Sequence, residues 1–376
     1  MKIPRCRFLH MAAGPAARED APATAAFRRG IGERSRTAAI ALLLAAVAPA
    51  AAQLPEDFYR GKTVSLLIGT QPGGTYDAYA RLLSRHIGRH IPGGPLVIAQ
   101  NMPGAASLVL ANYLQTAAPR DGLAFGAVQR GMPLNPLYSG GGSAGGRYDA
   151  TRFTWIGSIS GETGMLLAMS RAGLHSFADL FDKELIVGAD RGGTSDAEIF
   201  ARLTNAVLGT RARIVAGYNG GADVLLAMEK GEVDGTFVGG WRGIRNKASQ
   251  WLASGAARLL VQLAERPDPM FPDVPAIMDF AHDDRQRQIL RLAFTPQLWG
   301  RPYAAPPDLP PERARALRDA FQATMRDPAF VAEAKEMSLD IDPFSGEEMA
   351  RLIAGLYALP ADIIQAMREA FRADRK

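Results

Sequence analysis

The chain reads as an α/β protein of two lobes built on mainly parallel sheets, and three observations predict this. Apolar strands alternate with amphipathic helices along most of the length, the pattern of strand–helix–strand units whose helices cover a parallel sheet. Three of the strands run directly into Gly-rich polar turns that open helices, at residues 71–77, 101–107 and 190–196. Of the 376 residues, the 324 that follow residue 52 exceed what one hydrophobic core usually serves, so two lobes are expected.

The elements follow in order. Residues 64–69 (VSLLIG) form the first strand, and the helix after it carries Tyr79, Leu82, Leu83 and Ile87 on one face. Residues 96–99 are the next strand, followed by a helix with Leu108, Leu110, Tyr113 and Leu114, then a strand at 123–128. Residues 140–146 are a Gly/Ser-rich loop, and 154–159 and 165–169 read as strands that cross between lobes. A second alternation runs through a strand at 185–188, a helix at 196–208, a strand at 213–216, a helix at 222–229 and strands at 233–238 and 259–263. Pro-rich turns lead to 293–299, where the chain is expected to return to the first lobe. The end is helical: 312–325 spaces Leu317, Phe321 and Met325 four apart, and 349–359 is apolar on one side, both faces reading as packed on their own domain. The expected organisation is therefore residues 53–164 as the first part of lobe 1, 165–295 as lobe 2, and 296–376 as the return to lobe 1 with C-terminal helices.

The formal charge of +5 suggests a nucleic-acid partner until its location is read. Eight of the 43 Lys/Arg and three of the 38 Asp/Glu lie in residues 1–52, so the remainder holds 35 of each and is formally neutral. No nucleic-acid footprint remains. Residues 1–52 instead have the anatomy of a signal peptide with an upstream extension. A basic stretch from Arg28 to Arg36 precedes an apolar run at 38–47, Pro49 ends the run, and Ala50-Ala51-Ala52 offers small residues for cleavage after Ala52. The run is shorter than the roughly 20 residues that span a bilayer. The single cysteine, Cys6, lies in this leader, so the expected mature chain has no disulfide, thiol nucleophile or cysteine metal site. A protein in the periplasm is expected.

A Gly-rich turn at a helix N-terminus presents unpaired N–H groups, and these bind a carboxylate or phosphate without a cationic side chain. Three such turns in one chain point to a receptor for a small anion. Catalytic patterns fail on context. Gly141-Gly142-Ser143-Ala144-Gly145 matches G-x-S-x-G but sits in a Gly-rich loop, not between a strand and a helix. Gly61-Lys62-Thr63 resembles a P-loop tail but lacks the first Gly and precedes its strand. His86 and His90 lie four apart on a helix with no third ligand nearby, and read as a solvated face. No catalytic residue, metal site or cofactor is assigned, and an enzyme, such as a secreted hydrolase, is the weaker alternative.

The chain after the leader resembles the extracytoplasmic receptors of tripartite tricarboxylate transporters, the Bug-type solute receptors. The residues that carry the resemblance run in order: Tyr59-Arg60-Gly61-Lys62, Pro72-Gly73-Gly74 with Asp77, Asn101-Met102-Pro103-Gly104-Ala105, and Ala118-Pro119-Arg120-Asp121-Gly122. Then come Gly217-Tyr218-Asn219-Gly220-Gly221, Gly231-Glu232-Val233-Asp234-Gly235 and Phe271-Pro272-Asp273-Val274-Pro275. The resemblance implies a two-lobed periplasmic binding protein of the Venus-flytrap type, type II-like, with a small carboxylate bound in the cleft between lobes. It also implies a monomer that delivers its ligand to a tripartite tricarboxylate-type membrane permease. A sensing subunit reporting the same ligand to a membrane signalling partner would use the same cleft.

Candidate ligand contacts follow. In lobe 1, Gly73 and Gly74 give close approach to backbone N–H groups and Thr75 adds a hydroxyl. Asp77 reads either as a helix cap or as a partner for a ligand ammonium, amide or bridging water. Pro103, Gly104 and Ser107 form the second wall, where Ala105-Ala106 stands in place of the family's Ala-Gly-Gly and narrows it. In lobe 2, Gly192, Gly193, Thr194 and Ser195 match the family's ligand loop, with Asp196 as the expected cap of the following helix and Arg191 as either a carboxylate clamp or a solvated loop residue. Tyr218, Asn219 and Gly220 start another helix that closes over the ligand, and Trp241 with Arg242 reads either as an aromatic wall or as packing.

Overall fold

The computed structural model describes residues 55–139, 146–190, 195–265 and 267–372. Two sheets organise them. The first is built from β1 (Thr63–Ile68), β2 (Leu96–Asn101), β3 (Ala124–Ala127), β4 (Thr154–Ser158), β10 (Pro302–Ala305) and β11 (Phe344–Ser345), in the order β11-β4-β10-β3-β1-β2. The second contains β5 (Gly164–Met169), β6 (Leu185–Asp190), β7 (Ala212–Tyr218), β8 (Gly235–Val238) and β9 (Ala257–Leu263), in the order β7-β6-β8-β5-β9. Each sheet centres one lobe of a two-lobed α/β binding-protein fold.

The sheets are mixed, where mainly parallel ones were expected. β1 pairs parallel with β2 and β3, and β6 pairs parallel with β7 and β8. β10 runs antiparallel to β3 and β4, and β5 antiparallel to β8 and β9. The physical reason is connectivity. A parallel neighbour needs a crossover helix, whereas β5 enters the second sheet straight from β4 of the first, and β10 enters the first sheet on its return from the second. β5 is buried along its whole length, as a strand covered on both faces must be.

Helices fill the faces: α1 (Pro55–Tyr59), α2 (Thr75–Ile87), α3 (Leu108–Thr116), α4 (Asn135–Ser139), α5 (Asp196–Leu208), α6 (Gly221–Lys230), α7 (Arg245–Ala253), α8 (Asp284–Phe294), α9 (Pro311–Met325), α10 (Pro328–Glu336), α11 (Gly346–Tyr357) and α12 (Ala361–Arg372). α2 buries the apolar face read from its sequence, Tyr79, Leu82, Leu83 and Ile87. α9 buries Leu317, Phe321 and Met325, α11 buries Met349, Ile353 and Leu356, and both lie against β4. The stretch 293–299 is the end of α8 and a 3-10 turn (Thr295–Trp299), with the returning strand three residues later. α12 packs on α4, α5 and α8.

His86 of α2 and His90 of the 3-10 turn after it (Gly88–His90) are not a solvated pair. His86 is buried with Nε2 against Glu333, and His90 Nε2 lies 2.8 Å from Asp327, so the spacing serves to dock α10 onto α2. Among the described residues no cluster of His, Cys, Asp or Glu is arranged to hold a metal, and no helix is long and apolar enough to cross a membrane.

Candidate ligand site

The strand directions place the site. β1, β2 and β3 end at Ile68, Asn101 and Ala127, and their parallel register puts the turns after them at one end of the first sheet. β6, β7 and β8 likewise end at Asp190, Tyr218 and Val238 at one end of the second. Ligands of open α/β sheets sit at the carboxyl ends of strands. A cavity of about 1320 Å³ lies there, lined by the first lobe through Tyr76, Ala105, Ala106 and residues 129–132, and by the second through Asp190, Ser195, Asp196, Gly221 and residues 236–240.

Its polar centre is a pair of groups that joins the lobes. Arg130, three residues past the first lobe's last parallel strand, pairs with Asp196 in the first turn of α5. The Arg130 backbone N–H donates to Tyr76 Oη (3.1 Å), and its carbonyl accepts from Trp299 Nε1 (3.0 Å), so its main chain is fixed from both sides. Burial works against the Arg130 charge, but Asp196, Tyr76 and Glu162 together outweigh it and the guanidinium holds its proton more tightly than usual. Burial, with the neighbouring Asp196, pushes the Asp190 carboxyl up. Gly239 leaves room for this pair, since a Cβ there would push the Asp196 carboxylate and the Arg130 guanidinium aside. Gln297 is 3% exposed, lines the cavity, and its buried Oε1 has no partner among the described residues.

Beneath the site run the two segments that connect the sheets, 159–163 and 297–301. They are tied by Glu162 N–H to Gln297 O (2.8 Å) and Ile159 N–H to Arg301 O (3.3 Å). A buried ion pair, Arg301 Nη2 to Glu162 Oε1 at 2.7 Å, links their side chains. The Arg301 guanidinium also lies 4.7 Å from the centroid of the Tyr76 ring, so the connection touches a residue of the cavity wall directly.

The expected contacts divide into several groups. Ser195 lines the cavity and is the true cap of α5, its Oγ accepting from Glu198 N–H, which frees Asp196 from the capping role expected of it. Gly73 (φ +86°), Gly74 and Thr75 form an exposed turn next to Tyr76, and Gly74 is the N-cap of α2. Asp77 is buried and braces that turn: Oδ2 accepts from Gly73 N–H (3.0 Å) and Arg81 Nε (2.9 Å), and Oδ1 accepts from Asn101 Nδ2 (2.8 Å). Burial opposes its charge, yet these hydrogen bonds hold its carboxyl below the ordinary range. Pro103 and Gly104 are half-buried outside the lining, while Ser107 is fully buried and stitches strand ends, donating to Gly69 O and accepting from Gln129 N–H, both at 3.1 Å.

In the second lobe, Tyr218 and Asn219 stand off the lining, Asn219 bonding Asp223 at 2.9 Å, and Gly220 caps α6 so that Gly221 reaches the cavity. Arg191, Gly192, Gly193 and Thr194 lie outside the described residues. Trp241 is buried against Phe271 and does not line the cavity, and Arg242 pairs with Asp340.

Sequence reading missed Tyr76, Arg130, Asp190 and Gln297. Arg130 carried a usable signal, since it follows directly on an apolar strand of the first alternation. Gln297 carried none, because only the return path of the chain brings it here.

Residues 186–368 match the family model described as "Tripartite tricarboxylate transporter family receptor" (TctC). No curated protein matches the sequence. Among solved structures, a ligand-free TctC solute-binding protein from Polaromonas aligns with TM-score 0.62 at 15% identity, covering 82% of this chain and 99% of that one. An adipate-bound protein from R. palustris aligns with TM-score 0.54 at 20% identity, covering 82% and 97%. The malate-bound MatC of Rhodopseudomonas palustris aligns with TM-score 0.51 at 18% identity, covering 83% and 99%. At these identities the likeness is one of fold.

Proposed function

We propose that this chain, whose residues 186–368 match the tripartite tricarboxylate transporter family receptor model, is a periplasmic receptor that captures a small carboxylate between its lobes and delivers it to a tripartite tricarboxylate-type membrane permease. The observation that carries the reading is one cavity walled by both lobes at the carboxyl ends of their strands. A ligand that touches both walls stabilises the closed form, since only differential affinity for one state shifts an equilibrium. The carboxylate would dock on the turn amides around Gly74, Thr75 and Ala105–Ala106, with Ser195 and the loop through Gly192, Gly193 and Thr194 closing from the other lobe. The adipate and malate of the solved relatives set the ligand class to try first. Export would use residues 1–52, with the mature chain starting at Gln53.

The test is thermal-shift screening of the purified protein against small carboxylates, amino acids and amides, with hits titrated calorimetrically. A ligand at 100 times its Kd adds about 2.7 kcal/mol of stability. A saturable carboxylate response that is lost in Gly74→Val or Thr194→Ala supports the receptor reading, and no response to any member of a broad panel by ligand-free protein rejects it. N-terminal sequencing of the exported product checks cleavage after Ala52.

A further inference from the structure

We propose that the cavity takes a carboxylate with an extended apolar or aromatic body, not a compact diacid, an inference that rests on the receptor reading above. Its volume of about 1320 Å³ exceeds the roughly 300–1,000 Å³ usual for small-molecule sites. Much of its lining is apolar. Leu108, Tyr138, Tyr148, Ile199, Phe200 and Phe371 all line it, contributed by α3, α4, α5, α12 and the segment before β4.

Both tyrosine hydroxyls in this group are spent on main chain, Tyr138 donating to Leu292 O (2.9 Å) and Tyr148 to Met132 O (2.6 Å). The rings, not the hydroxyls, are therefore what a ligand meets. Phe371 packs on Tyr138 with ring centroids 4.8 Å apart and planes tilted by 31°, and Arg368 one turn earlier on α12 anchors that helix to α4 through Leu137 O (2.6 Å). The wall thus has a built aromatic face held by a dedicated helix.

Charge leads the same way. Among the described lining residues, Asp190 and Asp196 balance Arg130 and Arg368, and Arg130 is already paired with Asp196. Among these described residues a dianion finds no net positive charge to compensate its second carboxylate. A single carboxylate satisfied by turn N–H groups, with Gln297 as a polar contact, leaves the rest of the ligand facing rings and aliphatic side chains. Burying each added methylene there should tighten binding about fourfold.

The experiment is calorimetry on the full protein with two matched series: straight-chain and ω-phenyl monocarboxylates of increasing length, and dicarboxylates of the same lengths. The expected result is a Kd that falls about fourfold per methylene over several members of the monocarboxylate series, with an increasingly negative heat-capacity change. Phe371→Ala, at the end of the last helix, should weaken the longest ligands about tenfold and leave short ones unchanged. A Kd independent of chain length, or tightest binding by succinate or adipate, overturns this inference and leaves the receptor reading intact. Failure of both series overturns the receptor reading itself.

Discussion

Replacing Ala106 by glycine should stabilise the protein, against the usual sense of an Ala→Gly change. Ala105 (φ +44°), Ala106 (φ +53°) and Ser107 (φ +71°) are three consecutive non-glycine residues in the left-handed region, where Cβ crowds the following carbonyl. That conformation costs an alanine about 1–2 kcal/mol and a glycine almost nothing. Against this, glycine gives the unfolded chain more freedom, worth about 0.4–1 kcal/mol. Ala106 is exposed, so no packing is lost with its methyl. The balance is a net gain of about 0.5–1 kcal/mol, or roughly 1–2 °C in Tm for a chain of this size. Ala354 supplies the control: it is exposed inside α11, and Ala354→Gly should lose about 1 kcal/mol. Differential scanning calorimetry of both variants at one pH and ligand-free reads the difference. If Ala106→Gly lowers Tm as Ala354→Gly does, the left-handed run is not strained and the argument fails.

Three further outcomes follow from the site and its supports. Arg301→Met leaves Glu162 buried without its partner and should cost about 3–5 kcal/mol, while adding Glu162→Gln should restore much of it; urea denaturation of the single and double variants measures both. Asp190→Asn removes a carboxylate from the cavity wall and should tighten a carboxylate ligand several-fold, roughly the 1 kcal/mol of a partly exposed charge pair, and a titration showing weaker binding would mean that Asp190 itself holds the ligand. The hydrogen bond from His90 holds the Asp327 carboxyl at about 2, and backbone N–H groups hold Asp179 there too. A depressed folded pKa gives stability that is present above the unfolded value near 4 and lost as pH falls through the folded one, so stability should drop between about pH 4 and pH 2. Asp327→Asn should flatten that drop in acid-titrated circular dichroism.

Much of the fold was legible because it is written in local patterns. The spacing of Tyr79, Leu82, Leu83 and Ile87 has one reading, and α2 buries that face. The parallel strands were visible as apolar runs ending in Gly-rich turns. What escaped was pairing at long range. β4, β5 and β10 look like any buried strands, and their antiparallel insertion depends on where the chain crosses between lobes, which no local period encodes. His86 and His90 misread for the same reason: their partners Glu333 and Asp327 lie more than 200 residues away and reach them only through the docking of α10.

The site was half legible, and the division has a physical basis. Backbone-binding turns announce themselves through glycine and small polar residues, so Ser195 and the neighbourhoods of Tyr76 and Gly221 were found. The charged and amide side chains of the cavity wall follow no motif, because Arg130, Asp190 and Gln297 come together only where the two lobes meet. The substitution of Ala105-Ala106 at the wall shows how the two kinds of information combine. Sequence marked it as a departure at a ligand turn, and the backbone shows why glycine suits the place, since both positions are left-handed. Ala105 and Ala106 line a cavity whose lining also includes Leu108, Tyr138, Ile199, Phe200 and Phe371. A receptor built for a compact diacid would gain from the opposite arrangement, with room and positive charge where two carboxylates sit and a short floor between them.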